Sequence, residues 1–281
     1  MDSSIEQVIM KSCDLPTMPA VAGRVVQLVS NPDATAGQLN KAIMSDQALA
    51  ARLLKLANSS FYGCLRSINT VTQAIVIIGF SSTKNIVLAA STKDVNKKFG
   101  LTEKILHEHS LGVATASHVI AKEIGFKNAE EAFMVGLLHD IGKVVLNNSH
   151  PDKFREAIQE VYNQRETSSE VETAIFGFNH AEVGAMVLKK WNFSPEIVNA
   201  VINHHSIENV EKGDLYLHRL TLIAATANAF CHKIGIGVRE PEDVNLKSLL
   251  PVSMLKLPPD RLTVIEENIL QANKESQSIL A

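Results

Sequence analysis

Along most of the chain apolar side chains recur at intervals of three and four, the spacing that lines one face of an α-helix. This rhythm takes the place of the two-residue alternation expected of a half-buried strand. Helix-start signals punctuate it. Thr35 with Gln38, Thr70 with Gln73, Asn128 with Glu131 and Asn179 with Glu182 each set a capping side chain three residues before a Glu or Gln. That spacing predicts reciprocal capping of backbone N–H groups that have no partner inside the helix. Ser194 followed by Pro195 predicts another start, with proline where its missing N–H costs nothing. Gly79, Gly125 and Gly235 follow helical stretches and are expected just past helix ends. The pattern predicts about a dozen short helices and an all-α architecture without an obvious repeat.

Composition adds an outer frame. At 281 residues the chain reaches the size at which a single core stops growing, so two subdomains or one elongated domain is expected. With 46% apolar and 20% charged residues it has ample material for a large core. A small polar break at Lys97 to Gly100 suggests a division into an N-terminal helical half, 1–99, and a second half, 100–240. A C-terminal helical appendage, 241–281, carries Pro251, Pro258 and Pro259. The net charge of −3 is spread without a basic block, so no nucleic-acid partner is expected. Cys13, Cys64 and Cys231 form no C-x-x-C pattern and fit a reducing compartment. The N-terminus lacks the regions of a signal peptide, and no apolar run approaches a membrane span. The expectation is a soluble, cytoplasmic protein with no membrane partner.

The chemistry concentrates in the second half: His109, then His139 with Asp140, then His180, then His204 with His205. Imidazole and carboxylate without thiolate favour a catalytic or redox metal over a structural zinc site. His139 and Asp140 lie within the apolar stretch from Ala132 to Leu146, where an unpaired carboxylate would carry a large desolvation cost. A metal would compensate Asp140, as would Lys143 three residues on. His109 shares a stripe with Ile105, Gly112, Val113 and Ala116, whose small members let another helix approach. His139 and Asp140 would sit about 100° apart on one helix. His180 would open a helix behind Asn179, and His204 and His205 would end the helix begun at Ser194. Each histidine alone has a plain alternative. His109 suits a core histidine bonded to a carbonyl, His180 a helix-end residue, and the His pair a polar last turn favoured by the helix dipole. The ordered set favours metal binding. His107, His118, His150, His218 and His232 match no position in it and are expected to be surface or structural.

That order resembles the ligand pattern of the HD phosphohydrolase superfamily, most closely its HD-GYP branch. The resemblance implies two or three metal ions and a phosphate-binding Lys three residues after the Asp, the position of Lys143. The pattern closes with an Asp where this chain has Asn228, so a second metal is in doubt, as Asn is neutral and a poorer ligand for a hard cation. Ser206 follows the His pair and no Gly-Tyr-Pro occurs, which argues against cyclic dinucleotide hydrolysis. Leu15-Pro16, Met18-Pro19, the Ser45 to Ser59 segment, Tyr62-Gly63, Ala74-Ile75 and Ile78-Gly79 resemble the HDOD family, an HD-related output domain of bacterial signalling proteins. Together the two resemblances span roughly residues 10 to 235 and imply an all-helical, multi-helical HD fold with a regulatory role. The expected cofactor is a divalent metal, iron or manganese first, zinc or nickel next, as one or two ions. Expected partners are signalling proteins or a small phosphorylated ligand. The competing function is a metal-dependent phosphohydrolase with Lys143 stabilising developing charge. A weaker third is a non-haem iron centre that senses redox state or oxygen.

Overall fold

The computed structural model describes residues 3–59, 68–96, 100–164, 167–210, 214–237 and 241–280, and within them it is helical without a strand. The N-terminal half holds α1 (Ser3–Ser12), α2 (Ala20–Ser30), α3 (Ala36–Ile43), α4 (Gln47–Ala57) and α5 (Val71–Ser91). The second half begins with α6 (Leu101–Glu123), α7 (Ala129–Leu138), α8 (Ile141–Ser149) and α9 (Pro151–Gln164). It continues through α10 (Ser168–Phe176), α11 (His180–Lys190), α12 (Pro195–Ile202) and α13 (Leu215–Ile234), and the tail adds α14 (Leu250–Met254) and α15 (Leu262–Leu280). The break at 97–99 and the Tyr62-Gly63 pair lie outside the described residues.

Local chemistry accounts for most of the helix ends. Thr35 and Asn179 form the expected reciprocal boxes with Gln38 and Glu182. Thr70 forms half of one. Its side chain caps the Gln73 N–H, while the Gln73 side chain turns to the backbone N–H of Asn69. Asn128 does not cap. Its amide donates to the Tyr216 hydroxyl (2.8 Å), a tertiary contact that outcompetes the local one. Ser194 makes no side-chain cap either, although Pro195 does open α12. Gly125 and Gly235 take the left-handed conformation at helix ends as expected. Gly79 also closes a helical stretch, but a second one resumes directly after it within α5. With φ of 84° it kinks α5, a backbone turn that a side chain would strain.

The stretch Val71–Val95 also departs from expectation, being long and apolar enough by composition to cross a membrane. Much of it lies inside the fold, with Ala74, Ile75, Ile86 and Val87 fully buried, while Val76 and Ile77 are exposed. Helices α2, α3 and α4 pack on α5 to make the N-terminal core, in which Leu39, Ile43 and Leu53 are completely covered. Asn58 closes that unit. Its amide donates to the carbonyls of Leu54 and Ile68 and accepts from the Ile68 N–H (2.7 Å), so it holds the chain on both sides of residues 60–67.

The two halves are stitched together by polar contacts with matching packing. Asn85 on α5 donates to the Glu130 carbonyl and carboxylate on α7, and the Trp191 indole donates to the Pro16 carbonyl (3.0 Å). In the tail, α15 packs on both α6 and α4, and Arg261 makes a two-point pair with Glu123. At the centre, α6 packs on α7 and α13, and α8 packs on α11. The α8–α11 crossing is made at bare backbone. A Cβ on Gly142 would lie 1.9 Å from the His180 carbonyl oxygen, so only glycine permits this approach. Gly136 similarly seats α7 against the Val113 carbonyl of α6. Gly112 makes room for the Ile236 side chain and faces Asn273 of α15.

Candidate metal centre

These close approaches bring His109, His139, Asp140, His180, His204 and His205 to one place. Asp140 is shared by two groups whose ligand atoms all lie within 4.8 Å of one another: His180, His204 and His205 on one side, His109 and His139 on the other. Its Oδ1 faces His180 Nε2 (3.2 Å) and His204 Nε2 (3.9 Å), and its Oδ2 faces His139 Nε2 (3.4 Å) and His109 Nε2 (3.8 Å). His139 and Asp140 do not share a helix. They form the junction where α7 ends and α8 begins, because His139 caps the end of one and Asp140 the start of the other. His204 and His205 likewise lie in the turn beyond α12, which stops at Ile202 with Asn203 as its cap. In both places the ligand pair is released from helical geometry and both side chains reach inward.

Four of the five imidazoles are oriented in the same way. Nδ1–H donates to the Ile236 carbonyl in His109 (3.1 Å), to the Gly136 carbonyl in His139 (2.7 Å) and to the Val201 carbonyl in His204 (2.6 Å). In His180 it donates to the Glu172 carboxylate (2.5 Å). Oxygen acceptors fix these tautomers and leave each Nε2 turned toward Asp140, as in a metal-ligating histidine held by an outer partner. His139 Nε2 and Asp140 Oδ1 are buried without any hydrogen-bond partner. His180 Nε2 lies 3.0 Å from His205 Nε2 and 3.4 Å from His204 Nε2, a convergence of ring nitrogens that a shared cation relieves. The donor set therefore fits a divalent metal.

The electrostatics are consistent with a preformed cation site. Burial pushes His109 down to about 3 and His204 well below the ordinary imidazole range, so both are neutral ligands near pH 7. Burial opposes charge on Asp140 too, but His139, Lys143 and His180 hold it well below the usual carboxylate range. His180 is likewise opposed by burial, yet Glu172 and Asp140 hold it above the ordinary value. Lys143 ion-pairs with Asp140 Oδ2 at 2.8 Å, and that contact with Glu172 nearby keeps it charged against burial.

Asn228 also reaches the centre, with its Oδ1 3.0 Å from His109 Nε2, so both nitrogens of that ring face oxygens. Two neighbours were not apparent in the sequence. Glu172 on α10 is buried and binds both the backbone N–H and the ring of His180; its one signal is a carboxylate amid the apolar residues of a short helix. His232, one turn after Asn228, lies against the His109 ring (5.2 Å between centroids) with its own Nδ1–H on Glu242. Of the remaining histidines outside the pattern, His107 and His118 are buried, and His150 donates to the Ser12 carbonyl.

A sequence profile of the HDOD domain matches residues 15–207, and the chain belongs to that family. A protein of Treponema pallidum (strain Nichols) is 24% identical over 196 residues, 69% of this chain and 38% of that protein. Ribonuclease Y of Geotalea uraniireducens is 34% identical over 103 residues, 37% of this chain and 14% of the enzyme. The chain thus spans well under half the length of these relatives. Among solved structures, an HDOD domain protein from Geobacter sulfurreducens superposes with a TM-score of 0.81 at 24% identity, covering 98% of this chain and 97% of that one. A candidate metal-dependent phosphohydrolase from Shewanella amazonensis SB2B gives a TM-score of 0.71 at 20% identity, covering 99% and 96%. These likenesses show the fold.

Proposed function

We propose that this HDOD protein is a regulatory module of bacterial signalling whose buried centre holds a divalent metal, iron or manganese in first place, for structure or sensing. The observation that carries the reading is closure. His109, His139, Asp140, His180 and His204 are all at most 5% exposed, and the Asp140 oxygen nearest His139 is already engaged by Lys143. His205 is the exposed member, so the centre is closed everywhere but at that ligand. A cleft of about 460 Å³ lies between α6 and α15, lined by His118, Lys122 and Glu275 among others, and no member of the centre lines it. When bound, the ion would compensate Asp140, and where it kept an open position it would also lower the pKa of a coordinated water. The partners would be signalling proteins or a small phosphorylated ligand.

A second reading, a metal-dependent phosphohydrolase, is favoured by the segment shared with Ribonuclease Y and by the Shewanella fold neighbour. Lys143 would then have to leave Asp140 to meet a phosphate. Assay of the metal-loaded protein against cyclic dinucleotides, nucleotides and a generic phosphodiester, with His139→Ala as control, separates the two. The regulatory reading expects retained metal without turnover. Turnover above about 1 per second, the low end of ordinary enzymes, abolished in His139→Ala, establishes the hydrolase instead.

A further inference from the structure

The two sides of Asp140 are not equivalent. On the Oδ2 side the chain supplies its own substitutes for a metal. The Lys143 ammonium sits 2.8 Å from Oδ2, a fixed positive charge in contact with the oxygen that faces His139 and His109. Asn228 places its Oδ1 3.0 Å from His109 Nε2; with the His109 proton on Nδ1 that nitrogen is a lone pair, so turning the amide over about its last bond sets an N–H against it in place of a second acceptor. Only His139 Nε2 is left without a partner there.

On the Oδ1 side no lysine or arginine among the described residues makes contact with the carboxylate oxygen, although the charge of Lys143 is felt at His180 and His205. Oδ1 is buried and has no hydrogen-bond partner, and three imidazole Nε2 atoms approach it or one another: His180 at 3.2 Å from Oδ1, His204 at 3.4 Å and His205 at 3.0 Å from His180. Glu172 backs this group from behind by accepting from His180 Nδ1–H, the outer carboxylate that raises imidazole basicity in a metal site. Three nitrogens and one carboxylate oxygen make a complete four-donor set for a single ion.

We infer that the centre is mononuclear: one divalent cation is held by Asp140 Oδ1, His180, His204 and His205, while Lys143 and Asn228 fill the place of a second ion beside His109 and His139. The inference rests on the metal reading above and narrows it to one half of the cluster. It also assigns Lys143 to charge balance, since its ammonium does for Oδ2 what a second cation would do.

The test is manganese(II) binding to the full chain after chelator treatment, read by metal content, titration and electron paramagnetic resonance. One ion per chain with the hyperfine pattern of an isolated ion is expected. His205→Ala should weaken binding by more than about 100-fold, beyond the 10–100-fold cost of losing an outer partner, and His109→Ala by less than about 10-fold. The double variant Lys143→Met with Asn228→Asp should take up a second ion with the spectrum of a coupled pair. Two ions in the unaltered chain, a dominant loss in His109→Ala, or a double variant that still binds a single ion each overturns the inference while leaving a metal centre in place. No binding at all overturns the metal reading along with it. If a single-site variant fails to fold by circular dichroism, the stoichiometry and spectrum of the unaltered chain still decide.

Discussion

The N-terminal half and the ligand-bearing half bury comparable helices but fill them differently. Around α5 the interior is aliphatic, with Leu39, Ile43, Leu53 and Ile75 fully covered, and its stability comes from area removed from water. Between α6, α7, α8 and α11 the interior holds five imidazoles, Asp140, Lys143 and Glu172, groups whose burial costs free energy unless each finds a partner. One half relies on packing, while the other must add charge matching to a packed core of its own. The difference teaches where each should fail.

The largest separation should come from Asp140→Ala. It leaves the Lys143 ammonium buried without its ion-pair partner, and removal of one partner of a buried pair costs about 3–5 kcal/mol. Denaturant unfolding should register that loss, and metal analysis should find the centre empty. Full metal retention in this variant would sink the assignment. In the other half, Leu53→Ala should cost about 2–5 kcal/mol by cavity formation while leaving metal content unchanged; a loss of metal there would mean that the halves are coupled more tightly than their packing implies.

Adding manganese(II) at about 100 times its dissociation constant should stabilise the unaltered chain by about 2.7 kcal/mol. The same addition should leave Asp140→Ala unmoved, and an equal gain in both would place the bound ion elsewhere. Glu172→Gln removes the charge behind His180 and should weaken metal affinity 10–100-fold, with little change in helical content by circular dichroism. The smallest effect belongs to Thr35→Ala, which deletes the α3 capping box for about 1 kcal/mol. Hydrogen exchange should show the change confined to the first turn of α3.

Much of this was legible in the chain. Caps at Thr35 and Asn179 are local chemistry, three residues apart, and the structure forms them as read. The order of histidines was legible too, because burial in a stretch such as Ala132 to Leu146 demands compensation wherever the chain folds. What stayed hidden was tertiary. Asn128 gives up its cap to reach Tyr216 on a helix far along the sequence, and nothing local favours that choice. Glu172 belongs to a helix with no ligand signature and gains its role only when α10 turns at Gly177 and places it under His180. The ends of α7 and α12 were read two and three residues too late, since periodicity does not show that His139, His204 and His205 leave the helix to meet Asp140.

The contact of Gly142 with the His180 carbonyl has a consequence for how such a centre changes over time. Because α8 and α11 meet backbone to backbone, the spacing between the Asp140 junction and the start of α11 is held by the main chain and not by the side chains that fill the gap. The centre is therefore a mould whose shape outlasts its contents. An imidazole could be exchanged, or an ammonium could take the place of an ion, and the frame would keep its dimensions, so occupancy can be retuned by single substitutions without redesign of the fold.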